Sequence, residues 1–336
     1  MSKPKGLFVI EPNWFDLIYA PGDRARLRPR VDFPDRAFSP KEIRQNLHLL
    51  KDVELLFSGW WGTNLDRTLL NAAPRLQAVF FGGGSVREVV TEEFWEREIP
   101  LSTAAAANAV PVAEFTFAQI IFSLKRVWWH ARELQRTRTY LSYEPQDRRV
   151  PGAYKSTIGV VSLGMIGRRL LEMLRLLDVR VLAYDPFVTE ECARDLRVEL
   201  VSLETLFQTS DVVSLHTPLL KETEGLVTGA HIASMKPGAT LINTARGAVI
   251  NEPELIEVLR RRRDLFALLD VTVQEPLEPD SPLFSLPNVF LTPNIAGSMD
   301  GECRRMGEYM IDEAERFLNG ETLQWEITRE SAAILA

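Results

Sequence analysis

Short apolar runs, separated by stretches with helical periodicity, constrain this chain more than any other feature. In the first hundred residues they fall at 7–10, 53–57 and 76–81, each bounded by Pro, Gly or Asn. A second series follows at 158–161, 181–184, 212–215, 240–243, 266–270 and 289–291, with helical patterns between most of them. Runs of this kind suit strands buried inside an open parallel sheet whose faces are covered by helices. Two such series predict an α/β chain with two doubly wound parallel-sheet domains.

The 336 residues suffice for two domains with cores of their own. A net charge of -7 argues against a general affinity for nucleic acid. The one dense basic run, residues 260–263, closes an expected helix, where cations suit the dipole. Cys192 and Cys303 lie far apart; they suggest neither a disulfide framework nor a metal cluster, and fit a reducing cytoplasm. No apolar run is expected to approach the length of a membrane span, and residues 6–10 read as a first strand rather than a leader. Residues 111–138 read as one helix with Pro111 at its start and Glu114 in the first turn. Trp128 and Trp129 near its end belong either to the core or to a contact with a second subunit. Residues 140–156 read as a loop or arm. Residues 300–319 read as a helix returning to the first domain, with crossings expected near 104–110 and 294–300.

Strand, tight turn and helix meet at Gly159-Val-Val-Ser162-Leu-Gly164-Met165-Ile166-Gly167. The dinucleotide fingerprint is G-x-G-x-x-G; this chain has Ser162 in the first place, then Gly164 and Gly167. Gly164 would let backbone approach a pyrophosphate, and Gly167 would let the helix pack close to its strand. The helix start, with Met165 and Ile166, would offer amides to the phosphates. Ser162 is tolerable there if its φ stays negative. Asp185, at Tyr184-Asp185-Pro186, ends the next strand 21 residues after Gly164, where an acid bonds a ribose diol. An acid in that place repels a 2′-phosphate, which favours NAD over NADP.

Three motifs then end successive strands: Asn243-Thr244-Ala245-Arg246-Gly247, Leu269-Asp270-Val-Thr-Val-Gln-Glu275-Pro276, and Thr292-Pro293-Asn294-Ile-Ala-Gly297. Ligands bind at the carboxyl ends of such strands. With Ser214-Leu-His216-Thr217-Pro218-Leu and Asn108-Ala-Val-Pro-Val-Ala-Glu114, these motifs make nearly the whole chain resemble the D-isomer-specific 2-hydroxyacid dehydrogenases. The resemblance implies a Rossmann NAD-binding domain, residues 108–297, inserted into a flavodoxin-like substrate domain, residues 1–107 and 298–336. It implies an oxidoreductase that moves a hydride between NAD and a small 2-hydroxy or 2-oxo acid, working as a homodimer through the helix from Pro111 and the arm near 140–150, with no metal.

The chemistry of such a reaction explains the residue types. Arg246 can clamp a substrate carboxylate and polarise the reacting carbonyl. The family passes the proton with a His supported by a Glu; Glu275 matches the Glu, but Asn294 stands where the His belongs. A carboxamide can hold a hydrogen bond but cannot exchange a proton near neutral pH. Slowed turnover, a proton relay through water held by Glu275, or a regulatory NAD-binding protein without useful turnover are all open. The resemblance also implies cofactor contacts for His216, Thr217, Pro218, Thr244, Ala245, Asp270 and Gly297. It assigns the glycine-rich loop at 81–86 to the substrate carboxylate, through amides near Gly84 and Ser85. There the family carries an Asp two residues after the second loop position, and in this chain Arg87 stands near that place. Trp60 and Trp61 could line the same pocket, although core packing is the commoner fate of tryptophan. His48, His130 and His231 carry no motif and read as structural.

Overall fold

The structure is a computed structural model in which residues 3–140 and 150–334 are described. Most of the expected arm, 141–149, lies outside the described residues. The chain divides into two compact units, residues 1–108 with 298–336, and residues 109–297.

The first unit holds a parallel sheet in the order β1 (Gly6–Val9), β2 (Leu55–Gly59), β3 (Ala78–Gly82), β4 (Leu101–Thr103). Isolated parallel bridges Lys5 to Asp32 and Val9 to Phe38 lay residues 32–38 along the free edge of β1. With that segment counted, the order is the flavodoxin-like one. Every residue of the four strands is buried, as expected of strands covered on both faces. Phe8, Phe57 and Phe80 stack across β1, β2 and β3, with ring centroids 4.7 and 5.2 Å apart. Helix Cys303–Asn319 covers this face with Met306, Met310 and Ile311. A Cβ at Gly307 would overlap the Ile18 carbonyl, so glycine sets the close approach of that helix. The buried Glu313 accepts from Ser102 Oγ (2.7 Å) and from the backbone amides of Gln324 (3.0 Å) and Trp325 (2.9 Å). It thereby fastens the C-terminal segment beside β4.

The second unit holds a seven-stranded, all-parallel sheet. Its strands are β5 (Thr157–Val161), β6 (Arg180–Tyr184), β7 (Glu199–Leu200), β8 (Val212–Leu215), β9 (Thr240–Asn243), β10 (Phe266–Leu269) and β11 (Val289–Leu291). They run in the order β11-β10-β9-β8-β5-β6-β7. The order reverses between β5 and β8, which creates a topological switch point. Val161 pairs with both Tyr184 and Leu215, and Leu269 with both Asn243 and Leu291. The carboxyl ends of these strands are therefore level along one edge.

Two expectations need correction. Residues 111–138 do not form one helix starting at Pro111. A helix runs Ala105–Leu124 with Pro111 inside it, and Arg126 at φ 50° separates it from a second helix, Val127–Thr137. Alanine favours helix strongly, and burial of Ala107, Ala109, Val110, Val112 and Ala113 accompanies the extra turns before and around the proline. The same helix overturns the expectation that no apolar run is long enough to span a bilayer. By length and composition it passes that test, and half of its apolar window is buried inside the protein, with Ile120 and Leu124 in the core of the second unit.

Candidate active site

The turn after β5 is built for close backbone approach. Gly164 caps helix Met165–Leu174 with no side-chain hydrogen bond, so the first-turn amides carry no side-chain cap. Among the described residues, a Cβ at Gly164 would meet nothing within 4 Å, whereas one at Gly167 would overlap the Ser162 carbonyl. Openness above the turn and tightness beneath it are what a phosphate cradle requires. Gly164 and Met165 are exposed, and Ile166 is half-buried. Ser162 departs from the condition set for it. Its φ is 75°, in the left-handed region where a side chain is strained. Its hydroxyl lies 2.9 Å from that of Thr217, which ties the turn to the loop after β8.

Asp185 fixes the same turn from the end of β6. One carboxylate oxygen accepts from the Leu163 amide and the other from the Phe187 amide, both at 2.8 Å. Each carboxylate oxygen has capacity for a second hydrogen bond, so a ribose hydroxyl fits beside these. Across the switch point, His216 donates its backbone amide to the Val161 carbonyl (2.9 Å). Its Nε2 lies 3.0 Å from Ser214 Oγ, and its buried Nδ1 has no hydrogen-bond partner among the described residues. Burial pushes the imidazole pKa down to about 4, so at neutral pH the ring is uncharged and has no acid proton to give. Thr217 is buried, and the Pro218 carbonyl accepts from Thr223 Oγ1 (2.6 Å). An orphaned buried nitrogen beside an uncapped helix start and an open glycine fits a dinucleotide.

The three strand-end motifs converge. Asp270 N donates to the Asn243 carbonyl, Thr292 N to the Leu269 carbonyl, and Asn294 N to the Asp270 carbonyl. A Cβ at Gly247 would overlap the backbone of Thr272, so the Arg246 loop lies directly on the loop that carries Glu275. Glu275 Oε1 accepts from the Thr272 amide (3.1 Å), and Oε2 accepts from Asn294 Nδ2 (2.8 Å). Asn294 sits at φ 53°, a region that asparagine enters more readily than most residues. Arg246, Glu275 and Asn294 are all exposed at this edge. Arg246 Nη1 donates to the Ala245 carbonyl (2.7 Å).

The positioning roles of two residues were not legible in the sequence. Asn243, fully buried, donates through Nδ2 to the Arg246 carbonyl (2.9 Å) and accepts at Oδ1 from the Ala245 amide (3.0 Å). It shapes the arginine loop, and an asparagine closing a buried strand was the available signal. Asp270, expected beside the cofactor, spends its carboxylate on the Asn294 loop. Oδ1 accepts from Thr292 Oγ1 (2.6 Å) and the Ile295 amide (3.0 Å), and Oδ2 from the Ala296 amide (2.9 Å). Thr244 is buried with its hydroxyl 3.0 Å from that of Thr116, Ala245 is buried beside it, and Gly297 is half-buried. A cavity of about 140 Å³ lined by Gln119, Trp128, Thr244, Asp270 and Phe290 lies behind these loops; it is smaller than the pockets that hold cofactors.

In the first unit the loop after β3 leaves Gly84 and Ser85 half-buried. The Gly83 amide turns back to the Phe81 carbonyl (2.8 Å). Trp60 packs edge-on against Trp14, with ring centroids 5.6 Å apart, whereas Trp61 is exposed.

Comparison with known proteins places this arrangement. The family model described as "D-isomer specific 2-hydroxyacid dehydrogenase, NAD binding domain" matches residues 117–296. The chain is similar to the glyoxylate reductase of Korarchaeum cryptofilum, 31% identical over 88% of this chain and 94% of that protein. It is similar to the D-3-phosphoglycerate dehydrogenase of Archaeoglobus fulgidus, 32% identical over 70% of this chain but spanning only 44% of that longer protein. The fold is that of a phosphoglycerate oxidoreductase from Rhizobium etli, with a TM-score of 0.82, 22% identity, and coverage of 98% of this chain and 99% of that one. The switch-point turn lies inside the matched NAD-binding segment, and the likeness to the glyoxylate reductase extends through both units, so the chain belongs to the D-isomer-specific 2-hydroxyacid dehydrogenase family.

Proposed function

We propose that the protein is an NAD-dependent oxidoreductase acting between a small D-2-hydroxy acid and its 2-oxo acid, with turnover slowed by Asn294 at the acid/base position. The observation that carries this reading is the convergence of the Arg246, Glu275 and Asn294 loops at the carboxyl ends of β9, β10 and β11. The bound dinucleotide supplies or takes up the hydride. The helix start at Gly164, Met165, Ile166 and Gly167 holds its pyrophosphate, and Asp185 holds a ribose. His216, Thr217, Pro218, Thr244, Ala245 and Gly297 border it, with Asp270 acting through the loop it fixes. Arg246 clamps the substrate carboxylate and polarises the reacting carbonyl. The first unit offers the Gly84 and Ser85 amides to an anionic group. Glu275 accepts the Asn294 amide and leaves no transferable proton at that place, so proton delivery falls to water.

A second reading, an NAD(H)-binding regulatory protein on a dehydrogenase fold, is favoured by the same asparagine. Homodimerisation is supported by helix Val127–Thr137, which buries no residue fully, and by the half-exposed Phe122, Trp128 and Leu134. Two unpaired cysteines suit a cytoplasmic setting. The test combines thermal shift with NADH and NADPH and an absorbance assay with glyoxylate, hydroxypyruvate and pyruvate. Binding with turnover supports the enzyme. Binding without turnover on any oxo acid supports the regulatory reading, and no binding of either nucleotide overturns both.

A further inference from the structure

The orientation of the Asn294 amide bears on what the site can reduce. Glu275, as a carboxylate, only accepts hydrogen bonds, so the amide nitrogen must be the atom that faces it, as found at 2.8 Å. Asn294 Oδ1 is thereby left as an acceptor, and the second N–H as a donor whose proton cannot be transferred. The charge differs as well. A protonated imidazole beside a carboxylate is a neutral pair, whereas a carboxamide beside a carboxylate keeps one negative charge, so with Arg246 at the same edge the site is one unit more negative than its histidine counterpart. That charge opposes an oxyanion forming on C2 and favours a cation there.

We propose that this site reduces 2-imino acids, in their protonated iminium form, in preference to 2-oxo acids. The inference rests on the dehydrogenase reading above and names the substrate class of that same site. Reduction of a ketone needs a hydride on carbon and a proton on oxygen. An iminium already carries its proton. Hydride arrives at C2 with its electron pair from a reduced nicotinamide dinucleotide, a C–H bond forms, and the C=N π pair settles on nitrogen. The product is a neutral amine, the dinucleotide leaves oxidised, and no acid is consumed. Arg246 holds the carboxylate end. Asn294 Oδ1 accepts the iminium N–H, and Glu275 balances the positive charge. The missing imidazole is then no defect, because the chemistry does not call for one.

The test uses the full chain with NADH and NADPH and two kinds of substrate. One is a stable cyclic imine, 1-piperideine-2-carboxylate; the other comprises pyruvate and glyoxylate, each with and without methylamine. Amino acid and hydroxy acid products are quantified by mass spectrometry. The expected result is a kcat/KM about tenfold or more higher for the imine than for the oxo acids, with amine-dependent turnover of pyruvate. In Asn294→His the preference is expected to reverse. A binding measurement stands apart from turnover: calorimetry on the NAD-saturated protein should find glycine bound more tightly than glycolate, and Glu275→Gln should erase that difference. Reduction of oxo acids without reduction of the imine overturns this proposal and leaves the dehydrogenase reading standing. Failure to bind either dinucleotide overturns the dehydrogenase reading itself. Nucleotide binding with neither substrate reduced also overturns the proposal.

Discussion

Asn294 Nδ2 donates to Glu275 Oε2 across 2.8 Å, joining the loop after β11 to the loop after β10. Nineteen residues apart in sequence, the two side chains meet at the exposed edge that also carries Arg246; under the function proposed above this is the place of a proton relay, which a carboxamide does not provide.

Asn294→His is the most direct perturbation. Histidine shares asparagine's tolerance of the left-handed φ found here, so the backbone has no reason to move. Turnover of 2-oxo acids is expected to rise by about 10²–10⁴, and the rate should acquire a dependence on pH near neutrality that the parent lacks. Steady-state kinetics across pH check this; an unchanged rate would show that the imidazole is not the limiting lack.

Ser162 tests the cofactor turn. At φ 75°, Ser162→Gly relieves backbone strain of roughly 1–2 kcal/mol and gives up the Thr217 hydroxyl contact, worth about 1 kcal/mol, so the melting temperature should hardly change. Ser162→Val adds branching at the same φ and should destabilise by more than about 1 kcal/mol, with a weaker NADH Kd. Calorimetry and NADH fluorescence separate the two effects. Equal behaviour of both variants would mean the turn does not hold this φ.

Asp270→Asn replaces an acceptor by a donor opposite at least one of the Thr292, Ile295 and Ala296 donors. A loss of about 1–3 kcal/mol is expected, with turnover falling further than NADH affinity because the Asn294 loop loosens. A large loss of NADH affinity at unchanged stability would assign Asp270 to the dinucleotide instead.

His216 gives the protein an acid-sensitive point. Its unfolded pKa is near 6.5 and burial lowers the folded value to about 4. The unfolded chain takes up the proton first, so stability is full above pH 6.5 and falls as pH drops toward 4, by about 3 kcal/mol in all. Urea unfolding at pH 7 and pH 4.5 should show a smaller loss in His216→Gln than in the parent. An identical loss would exclude this histidine as the source.

The strands of the second unit were legible because buried parallel strands read as unbroken apolar runs; β8, β9 and β11 fall at the residues expected. The two-residue β7, at Glu199–Leu200, and the three-residue β4 offer no such run. Pro111 was misleading because a proline inside a helix looks like a helix start when the alanines before it are discounted. Motif spacing placed Arg246, Glu275 and Asn294 on neighbouring strand ends. It could not disclose the Ser162 to Thr217 contact, which joins residues 55 apart, or the service Asp270 gives to Ala296, 26 residues away. Such contacts depend on which loops the sheet order sets side by side.

The bond network of Glu313 joins parts of one unit that are synthesised far apart. The strand that this carboxylate serves lies at residues 101–103, yet Glu313 and its partners Gln324 and Trp325 emerge about two hundred residues later. On the ribosome, where domains generally fold as units in order of emergence, the N-terminal portion must wait with β4 and its apolar sheet face uncovered. The inserted segment is fully synthesised earlier and can reach its native state first. Destabilising lesions near the C-terminus should therefore expose the beginning of the chain to chaperones and proteases rather than the middle.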